Sequence, residues 1–440
     1  MLLEAFSGQR QRLLLVVLLA GLVGGVAGAA YLGLLHLVQR GLWPDHWTLF
    51  PHGLILVGVG VAVAVLTRLL GSPGDVELLV DNIHVLGGAE DMRRLPSLIP
   101  VSLLCVGSGG GLGPEAPLVQ TTGTLGTWLA SRFNFDRTDV RIVTITGMAA
   151  GFTVLFGAPL GAAVFALEIL HRRGLEYYEA LVPAVIGSLS GYAVYVIITG
   201  VGLEPVWRFP DPGHAHAGDL GWAVACGVVG AIIATSFTFL NQFLRWCLRR
   251  VPGEWRPAIG GVALALLAWM SPYALTFGEA QVTHISTTDL ALRVLLLAVF
   301  AKMLGASVTL SSGWRGGFII PLFFMGAALG RAGHIVFPHT NEVVLMAALM
   351  AACNVGVTKT PIGSVLVVTE MAGLALLPTT LIASVVALIL TSNVGLIESQ
   401  RRREGAFGEA PKPLRSDVAH DDGLANPHPS PERRREKTGA

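Results

Sequence analysis

Residues 107–117 read GSGGGLGPEAP, and they decide how the chain folds because five glycines and two prolines interrupt an apolar stretch. Glycine favours other conformations and proline lacks the backbone donor, so a helix cannot continue through this segment. A helix that restarts at about residues 115–117 has unpaired N–H groups and the positive end of its dipole at its start, where proline is well tolerated. Such a helix start attracts anions.

A second break, SSGWRGGFIIP at residues 311–321, repeats this arrangement. Gly316 and Gly317 let the backbone approach a ligand closely. The N–H groups that would face this ligand belong to Phe318, Ile319 and Ile320, just ahead of Pro321. Two helix starts facing one point would bind an anion through partial charges alone, which suits conduction because the anion must also leave. Either break alone could be an ordinary packing kink.

The two breaks occupy corresponding positions in an internal repeat. Residues 148–169 match residues 350–371 without a gap, and Pro159 coincides with Pro361 and Glu168 with Glu370. Upstream, PLVQTTGTLG at 117–126 matches PLFFMGAALG at 321–330. In transporters built from repeats, interrupted helices of both halves meet at the substrate site near the bilayer midplane. Residue identity alone leaves open whether the repeats are parallel or inverted.

The composition is that of a membrane protein, with 52% hydrophobic and only 13% charged residues. Helices are expected rather than barrel strands, because lipid satisfies no backbone hydrogen bonds and no stretch shows a strand-like alternation. A net charge of +1 argues against nucleic acid as a partner. Apolar stretches that could enter or cross the hydrocarbon lie at 13–38, 54–70, 220–240, 259–269 and 380–390.

The expected organisation is two membrane repeats between polar ends. The segments are a cytoplasmic N-terminus at 1–12, a first repeat at 13–203, a linker at 204–218, a second repeat at 219–399 and a disordered cytoplasmic tail at 400–440. Arginines near both ends place both termini in the cytoplasm, so we expect a multi-pass protein of the plasma (inner) membrane. The four cysteines are expected to be buried free thiols, and neither metal nor cofactor is expected.

Glu115 is the sharpest single candidate. A carboxylate at a helix start inside an apolar chain is costly, and therefore indicates a functional site. When ionised it is itself an anion that competes with chloride for the same N–H groups, so it could act as a gate. The alternative is a carboxylate that caps a helix at the membrane surface. Glu168 and Glu370 are interpreted as interfacial or paired structural groups.

Three motifs resemble those of the CLC chloride channel and transporter family: GPEAPLVQ at 113–120, GGFIIP at 316–321 and GAPL at 157–160. The resemblance implies an all-α, inverted-repeat fold of about eighteen mostly tilted or re-entrant helices, and a homodimer with one pore per subunit that carries chloride. It makes Glu115 the gating glutamate and aligns residues 71–75 with the family's first anion-binding segment, with the Ser72 hydroxyl as a ligand. The anion-binding residues implied are Ser72, Gly113, Pro114, Glu115, Ala116, Gly317, Phe318, Ile319 and Ile320.

The chain also departs from the family pattern. The pore tyrosine matches Glu398, and the glutamate that relays protons in coupled members matches Ile169. The leading hypothesis is therefore a passive chloride channel gated by Glu115. The runner-up is a chloride/proton antiporter that relays protons through water or Glu168. A membrane-embedded enzyme with Glu115 as general base, assisted by His84 or His171, is disfavoured because no nucleophile or metal-ligand spacing accompanies it.

Overall fold

The computed structural model describes residues 8–43, 49–89, 92–172, 176–202, 207, 209–210 and 216–400, and these fold into sixteen α-helices and five 3-10 turns. The first half holds α1 (Gly8–Leu42), α2 (Leu49–Leu70), α3 (Val76–Val85), α4 (Leu95–Gly107), α5 (Glu115–Ser131), α6 (Arg137–Phe156), α7 (Pro159–Glu168) and α8 (Leu181–Thr199). The second half holds α9 (Ala217–Leu248), α10 (Arg256–Met270), α11 (Glu279–Thr287), α12 (Leu292–Ser311), α13 (Ile319–Val336), α14 (Glu342–Thr358), α15 (Pro361–Ala372) and α16 (Leu377–Leu390). The all-α prediction is confirmed.

Seven helices are long and apolar enough to cross a membrane within the described part of the chain. Their outer faces carry large apolar side chains, such as Ile197 at 81% and Leu69 at 75% exposure. An apolar surface of this kind suits contact with lipid and not with water. By contrast, every residue from Val343 to the end of α14 is buried. The chain is therefore an integral, multi-pass membrane protein with a core of short buried helices.

The two glycine-rich breaks meet each other. Gly113 N–H donates to Gly317 O at 2.7 Å, and Gly317 N–H donates to Gly113 O at 2.6 Å. This pair is an antiparallel bridge, so the two segments run in opposite directions where they touch. Equivalent residues of the two repeats therefore meet in opposite directions, which fits the inverted repeat that the family resemblance implies.

A second reciprocal contact joins α7 and α15. The Glu168 carboxylate at the end of α7 accepts hydrogen bonds from Ile362 N (3.3 Å) and Gly363 N (2.7 Å) at the start of α15. In return, Glu370 near the end of α15 accepts from Gly161 N (2.9 Å) at the start of α7. Each carboxylate satisfies N–H groups that a helix start leaves without partners. The two helices are antiparallel, and each caps the other.

The structure describes parts of the predicted N-terminal segment and of the predicted linker. Helix α1 begins at Gly8 and so includes the last residues of the predicted N-terminal segment 1–12. In the predicted linker 204–218 the described residues are 207, 209–210 and 216–218, and the buried Trp207 ring contacts Phe323 at 5.8 Å between centroids. The tail beyond residue 400 lies outside the described residues.

Three of the four cysteines are buried free thiols, as expected. Cys247 is the exception, because it lies in the last turn of α9 and is exposed. Its place at a helix end next to Arg249 and Arg250 explains why an apolar sequence context did not bury it.

Candidate functional site

Two helix starts lie side by side at the centre of the molecule. Helix α5 begins at Glu115 and α13 begins at Ile319, directly after the bridged residues Gly113 and Gly317. Both helix starts are buried, so their N–H groups have no access to bulk water.

Each glycine-rich break is hydrogen-bonded to the helix that precedes the other break. In the first break, Gly111 N–H donates to the hydroxyl of Thr309 in α12 (3.0 Å). In the second break, Arg315 N–H donates to Cys105 Sγ in α4 (3.3 Å).

The Glu115 side chain occupies this central position. It is fully buried, and its Oε1 accepts a hydrogen bond of 2.6 Å from Ile320 N, in the first turn of α13. Its Oε2 has no hydrogen-bond partner. A carboxylate therefore occupies the N–H groups that the sequence assigned to an anion.

Glycine is required at both bridged positions for this side chain to fit. An ideal Cβ on Gly113 would lie 2.2 Å from Glu115 Oε2, and one on Gly317 would lie 2.5 Å from the same atom. Neither distance is compatible with van der Waals contact, so any larger residue would displace the carboxylate. Glycine is needed at these two positions because the Glu115 carboxylate lies close to the backbone, and not because the backbone is in the left-handed region.

Two cavities are lined by the sequence neighbours of Glu115. The first, named here the Arg315 cavity, reaches Ala116 and Phe318. The second, named here the Tyr195 cavity, reaches Pro114. The Arg315 cavity is lined by residues 74–77, 116–117, Gln120, Arg245, Leu310, 314–316, Phe318 and 396–397. The Tyr195 cavity is lined by Leu32, Leu35, His36, Pro114, 154–155, Gly157, Tyr192, Tyr195, 201–202, Phe277 and Glu279. Pro114 and Ala116 flank Glu115 in the chain, so each of the two cavities is lined by a residue next to Glu115.

A third and much smaller cavity, the Ile169 cavity, is also lined by Ala116. Its lining is apolar: Val76, Leu79, Val80, Ala116, Val119, Met148, Phe152, Ile169, Gly317, Phe318 and Ile319. None of these lining side chains can take up or release a proton. The position where the family has its relay glutamate thus lies on an apolar cavity.

The Arg315 cavity carries balanced charges at its edge. Arg315 pairs with Asp75 (4.0 Å) and Arg245 pairs with Glu77 (3.5 Å). Such partly exposed pairs contribute little to stability. The two carboxylates belong to the N-cap and first turn of α3, where acidic residues are favourable. The edge therefore carries two arginines without a large net positive charge.

Eight of the nine predicted anion-binding residues come together at the two helix starts. They are Gly113, Pro114, Glu115, Ala116, Gly317, Phe318, Ile319 and Ile320. Ser72 does not line the Arg315 cavity, where Gly74 and Asp75 contribute from the same segment. The exposed Ser72 hydroxyl instead accepts a 3.4 Å hydrogen bond from Arg315. Its role as an anion ligand stays a prediction.

The position matched to the pore tyrosine does not line the cavity either. Glu398 is exposed, whereas the neighbouring Leu396 and Ile397 line the Arg315 cavity. This segment therefore contributes the apolar side chains of Leu396 and Ile397 to the cavity, and not the aromatic hydroxyl that the family has there. Among the described residues that line this cavity there is no tyrosine.

The two histidines considered for enzyme chemistry belong to another cluster. His84 bonds the Tyr177 hydroxyl (2.8 Å) and the carbonyl of Leu170 (2.7 Å), and its ring lies 5.3 Å from that of His171. Neither histidine lines any of the three cavities that adjoin Glu115. The structure therefore does not assemble the general-base site that the enzyme hypothesis needs.

Some charged residues near the pathway were missed at the sequence level. Arg315 lies within the second glycine-rich break, and Glu279 begins α11 after a glycine, so both carried a local signal. Two lysines are buried within or at the end of apolar helices, where a charged group is costly without a partner. Lys302 donates to the carbonyl oxygens of Leu275 (2.8 Å) and Thr276 (2.7 Å). Lys359 similarly donates to backbone oxygens, so both lysines hold carbonyl groups of the protein itself.

Two proteins with a similar sequence are described as chloride channel proteins. The chain is 28% identical over 403 residues to a chloride/fluoride channel protein of Pseudomonas syringae pv. tomato, which covers 87% of the chain and 85% of the relative. It is 27% identical over 299 residues to the voltage-gated ClC-type chloride channel ClcB of Shigella flexneri, which covers 66% of the chain and 71% of the relative.

Two solved structures share the fold. One is a CLC-type fluoride/proton antiporter, with a TM-score of 0.77 and 24% identity, covering 90% of this chain and 99% of that one. The other is a slow cyanobacterial Cl⁻/H⁺ antiporter, with a TM-score of 0.76 and 19% identity, covering 87% of this chain and 95% of that one. The sequence profile described as voltage gated chloride channel matches residues 59–392. Together with the inverted repeat and the paired helix starts, this match shows that the chain belongs to the CLC family of anion channels and transporters.

Proposed function

We propose that this protein passes chloride or another small anion between the Arg315 cavity and the Tyr195 cavity, and that the Glu115 carboxylate gates the passage. The observation that carries the proposal is the 2.6 Å hydrogen bond from Ile320 N to Glu115 Oε1. A carboxylate and a halide seek the same N–H donors at the start of α13, so they exclude each other there. The described conformation is the one in which the carboxylate holds the position.

Protonation offers a way to release the gate. An ionised carboxylate accepts strong, charge-assisted hydrogen bonds, whereas a protonated carboxyl group is a weaker acceptor and carries no charge to oppose an anion. Once Glu115 is neutral, an anion can take its place at Ile320 N and the side chain can turn away. Binding through helix starts stays weak enough for the anion to leave.

The Arg315 cavity is proposed to face the cytoplasm. Arg245 lines this cavity, and Arg249 and Arg250 follow directly after the same helix. Leu396 and Ile397 line it as well, a few residues before the arginines at 401–403. Cytoplasmic ends of membrane helices carry an excess of arginine and lysine, which supports this orientation in the plasma (inner) membrane. A homodimer with one pathway per subunit is proposed from the family.

Replacing Glu115 with Ala tests the gate. We expect chloride efflux from proteoliposomes to become fast and nearly independent of pH, because the competing carboxylate is gone. Glu115→Gln is the matched control that keeps the side-chain length without the charge, and it should also flatten the pH profile. A wild-type pH profile in both variants would place the gate elsewhere.

Two modes of transport fit this site, and each has its own support. Passive conduction of chloride is supported by the Ile169 cavity, whose lining residues give protons no titratable group. Chloride/proton antiport is supported by the two similar structures, both of which are described as proton antiporters. In that mode Glu115 would carry the proton and water or Glu168 would complete its path.

A single assay separates the two modes. Proteoliposomes are given a chloride gradient without a proton gradient, and the internal pH is followed. Uphill proton movement driven by chloride rules out the passive channel, whereas chloride flux with no proton movement rules out antiport. The same vesicles with fluoride in place of chloride test the anion, because one relative is described as a chloride/fluoride channel protein.

A further inference from the structure

The side-chain amide of Gln120 is a buried donor on the Arg315 cavity. Gln120 lines this cavity and is only 2% exposed. Within the part of the chain that the structure describes, its Nε2 is buried and has no hydrogen-bond partner. A buried amide N–H group is costly unless an acceptor reaches it, and most such groups in proteins are bonded. The Arg315 cavity is the place from which an acceptor can reach Gln120.

The position of Gln120 in α5 explains why its side chain reaches this cavity. Ala116, Pro117 and Gln120 all line the cavity, and residues three and four positions apart share one face of a helix. Long side chains of a helix lean toward its first turn, so the Gln120 amide points back toward the start of α5. Gln120 itself lies about 7.5 Å beyond Glu115 along the helix axis, and therefore belongs to a separate position on the pathway.

The guanidinium group of Arg315 supplies further donors to the same cavity. Its Nε is buried and, among the described residues, has no hydrogen-bond partner. Its terminal nitrogens lie 3.4 Å from Ser72 Oγ and 4.0 Å from the Asp75 carboxylate. The Arg315 backbone is held by the N–H bond to Cys105 Sγ, so the side chain extends from a fixed point. A guanidinium group has five N–H donors, and most of those of Arg315 remain available to an anion.

The carboxylates on this cavity are engaged elsewhere. Glu77 pairs with Arg245 at 3.5 Å. Asp75 is the N-cap of α3, where its Oδ1 accepts a hydrogen bond of 2.9 Å from Leu78 N. The Asp75 carboxylate is half exposed to solvent and lies 4.0 Å from Arg315, which is too far for a hydrogen bond. A small anion in the cavity can therefore approach Arg315 more closely than Asp75 does.

We propose that the Gln120 amide and the Arg315 guanidinium group together bind a small monovalent anion, such as chloride, in the Arg315 cavity. Helix α5 of the first half provides one donor, and the glycine-rich break of the second half provides the other. This Gln120–Arg315 site is separate from the helix starts, so an anion can bind there while Glu115 accepts from Ile320 N. The anion then waits for the gate to open, a role that rests on the proposed function of Glu115.

Bromide tests the site directly, because its anomalous scattering identifies it in crystals of the full-length protein. We expect a bromide peak within hydrogen-bonding distance of Gln120 Nε2 and Arg315 Nε, at a bromide concentration that saturates efflux. Gln120→Glu keeps the shape of the side chain but presents a carboxylate, so it should abolish this peak. A peak unchanged by Gln120→Glu, or only water beside the two nitrogens in the wild type, overturns the proposal.

Calorimetric titration of chloride in detergent measures the affinity. Gln120→Met removes the donors at a similar side-chain length, and it replaces Gln120→Glu in the crystals if that variant does not fold. It should raise the Kd for chloride about tenfold, because a buried hydrogen bond to a charged ligand is worth about this factor. Arg315→Lys keeps the positive charge without the Nε donor and should also weaken binding. Wild-type affinity in Arg315→Lys means that charge alone acts, and it rules out the site.

Two arginines outside the site control for net charge. Arg245→Gln removes a positive charge from the same cavity, but from a side chain that pairs with Glu77. Arg68→Gln removes one from an exposed pair with Glu254. Both should leave the Kd within about twofold of wild type, since screened and paired charges contribute little. If Arg245→Gln weakens binding as much as Arg315→Gln, the cavity attracts anions only through its net charge, and the proposal fails.

Failure of this site differs from failure of the gate. In a Glu115→Ala background the bromide peak and the effect of Gln120→Met should persist, because Glu115 Oε1 bonds to Ile320 N and to neither donor of the site. If Glu115→Ala keeps the wild-type pH profile while the peak is present, the gate proposal fails and the site stands. If Glu115→Ala flattens the profile and no peak lies at the two nitrogens, only the site is lost.

Discussion

At the scale of single residues, the absence of a side chain at Gly113 leaves the space that the Glu115 carboxyl group occupies. Gly113 contacts Glu115 through the space that a Cβ atom would fill, and all three nearest atoms to that space belong to the Glu115 carboxyl group. A methyl group there would push aside a flexible side chain and no backbone atom. The backbone φ of Gly113 is not in the left-handed region, so alanine fits the local conformation.

Gly113→Ala should therefore open the gate without removing it. We expect flux at neutral pH to rise toward the level seen in acid, because the carboxylate can no longer rest beside Ile320 N. Chloride efflux from proteoliposomes across a range of pH measures this. In a Glu115→Ala background the same change should have no effect; a loss of flux there would mean that the methyl group narrows the path.

The residue types at this site were largely predictable from the sequence, but their mutual placement was not. Glycine, proline and a lone glutamate in an apolar stretch indicate a helix break and an anion site by themselves. The hydrogen bond between Glu115 and Ile320 joins residues 205 positions apart and depends on how the two halves pack.

At the scale of elements, α7 and α15 show how buried carboxylates can be structural. Both oxygens of Glu168 accept hydrogen bonds from the first turn of α15, which satisfies donors that a helix start leaves free. The sequence interpretation of Glu168 and Glu370 as paired structural groups fits this arrangement. The reciprocal form of the caps was not visible in the sequence, since it requires the repeats to be inverted.

Glu168→Gln should destabilise the protein and leave the pH profile of chloride flux unchanged. Loss of the charged acceptor weakens two buried hydrogen bonds, at a cost of about 1–3 kcal/mol. Thermal unfolding in detergent measures the loss, with Glu254→Gln at the exposed pair as the matched control. If stability is retained while chloride-driven proton movement disappears, Glu168 relays protons and the structural interpretation fails.

At the scale of the whole molecule, the sequence indicated the family and the repeat, whereas the structure defines the routes to the site. Composition and the repeat were enough to predict a helical membrane protein with its site between the halves. The cavities were not predictable, because their walls combine residues from six or more separate segments of the chain. Ser72 is an example. The family motif aligned it with an anion ligand, whereas the Arg315 cavity is lined from this segment by Gly74 and Asp75, which directly precede α3.

The native Cys247 offers a test of orientation for the whole molecule. It is exposed at the end of α9, two residues after Arg245 of the Arg315 cavity, so we expect labelling from the cytoplasmic side. A membrane-impermeant thiol reagent should modify it in inside-out vesicles and spare it in intact cells. Val201→Cys in a Cys247→Ser background, at the Tyr195 cavity, should show the opposite pattern. Labelling of both from one side would contradict a pathway across the bilayer.

The mutual hydrogen bonds of Gly113 and Gly317 have a consequence for what a half-length chain could do. Each half supplies one strand of the joint, one helix start and one donor to the other, so neither half contains a complete site. A half-length chain with this sequence could therefore complete the joint only by pairing with a second copy of itself. The two halves differ at the joint, with glutamate at position 115 and isoleucine at its counterpart, 319, so the two-fold arrangement offers a single carboxylate.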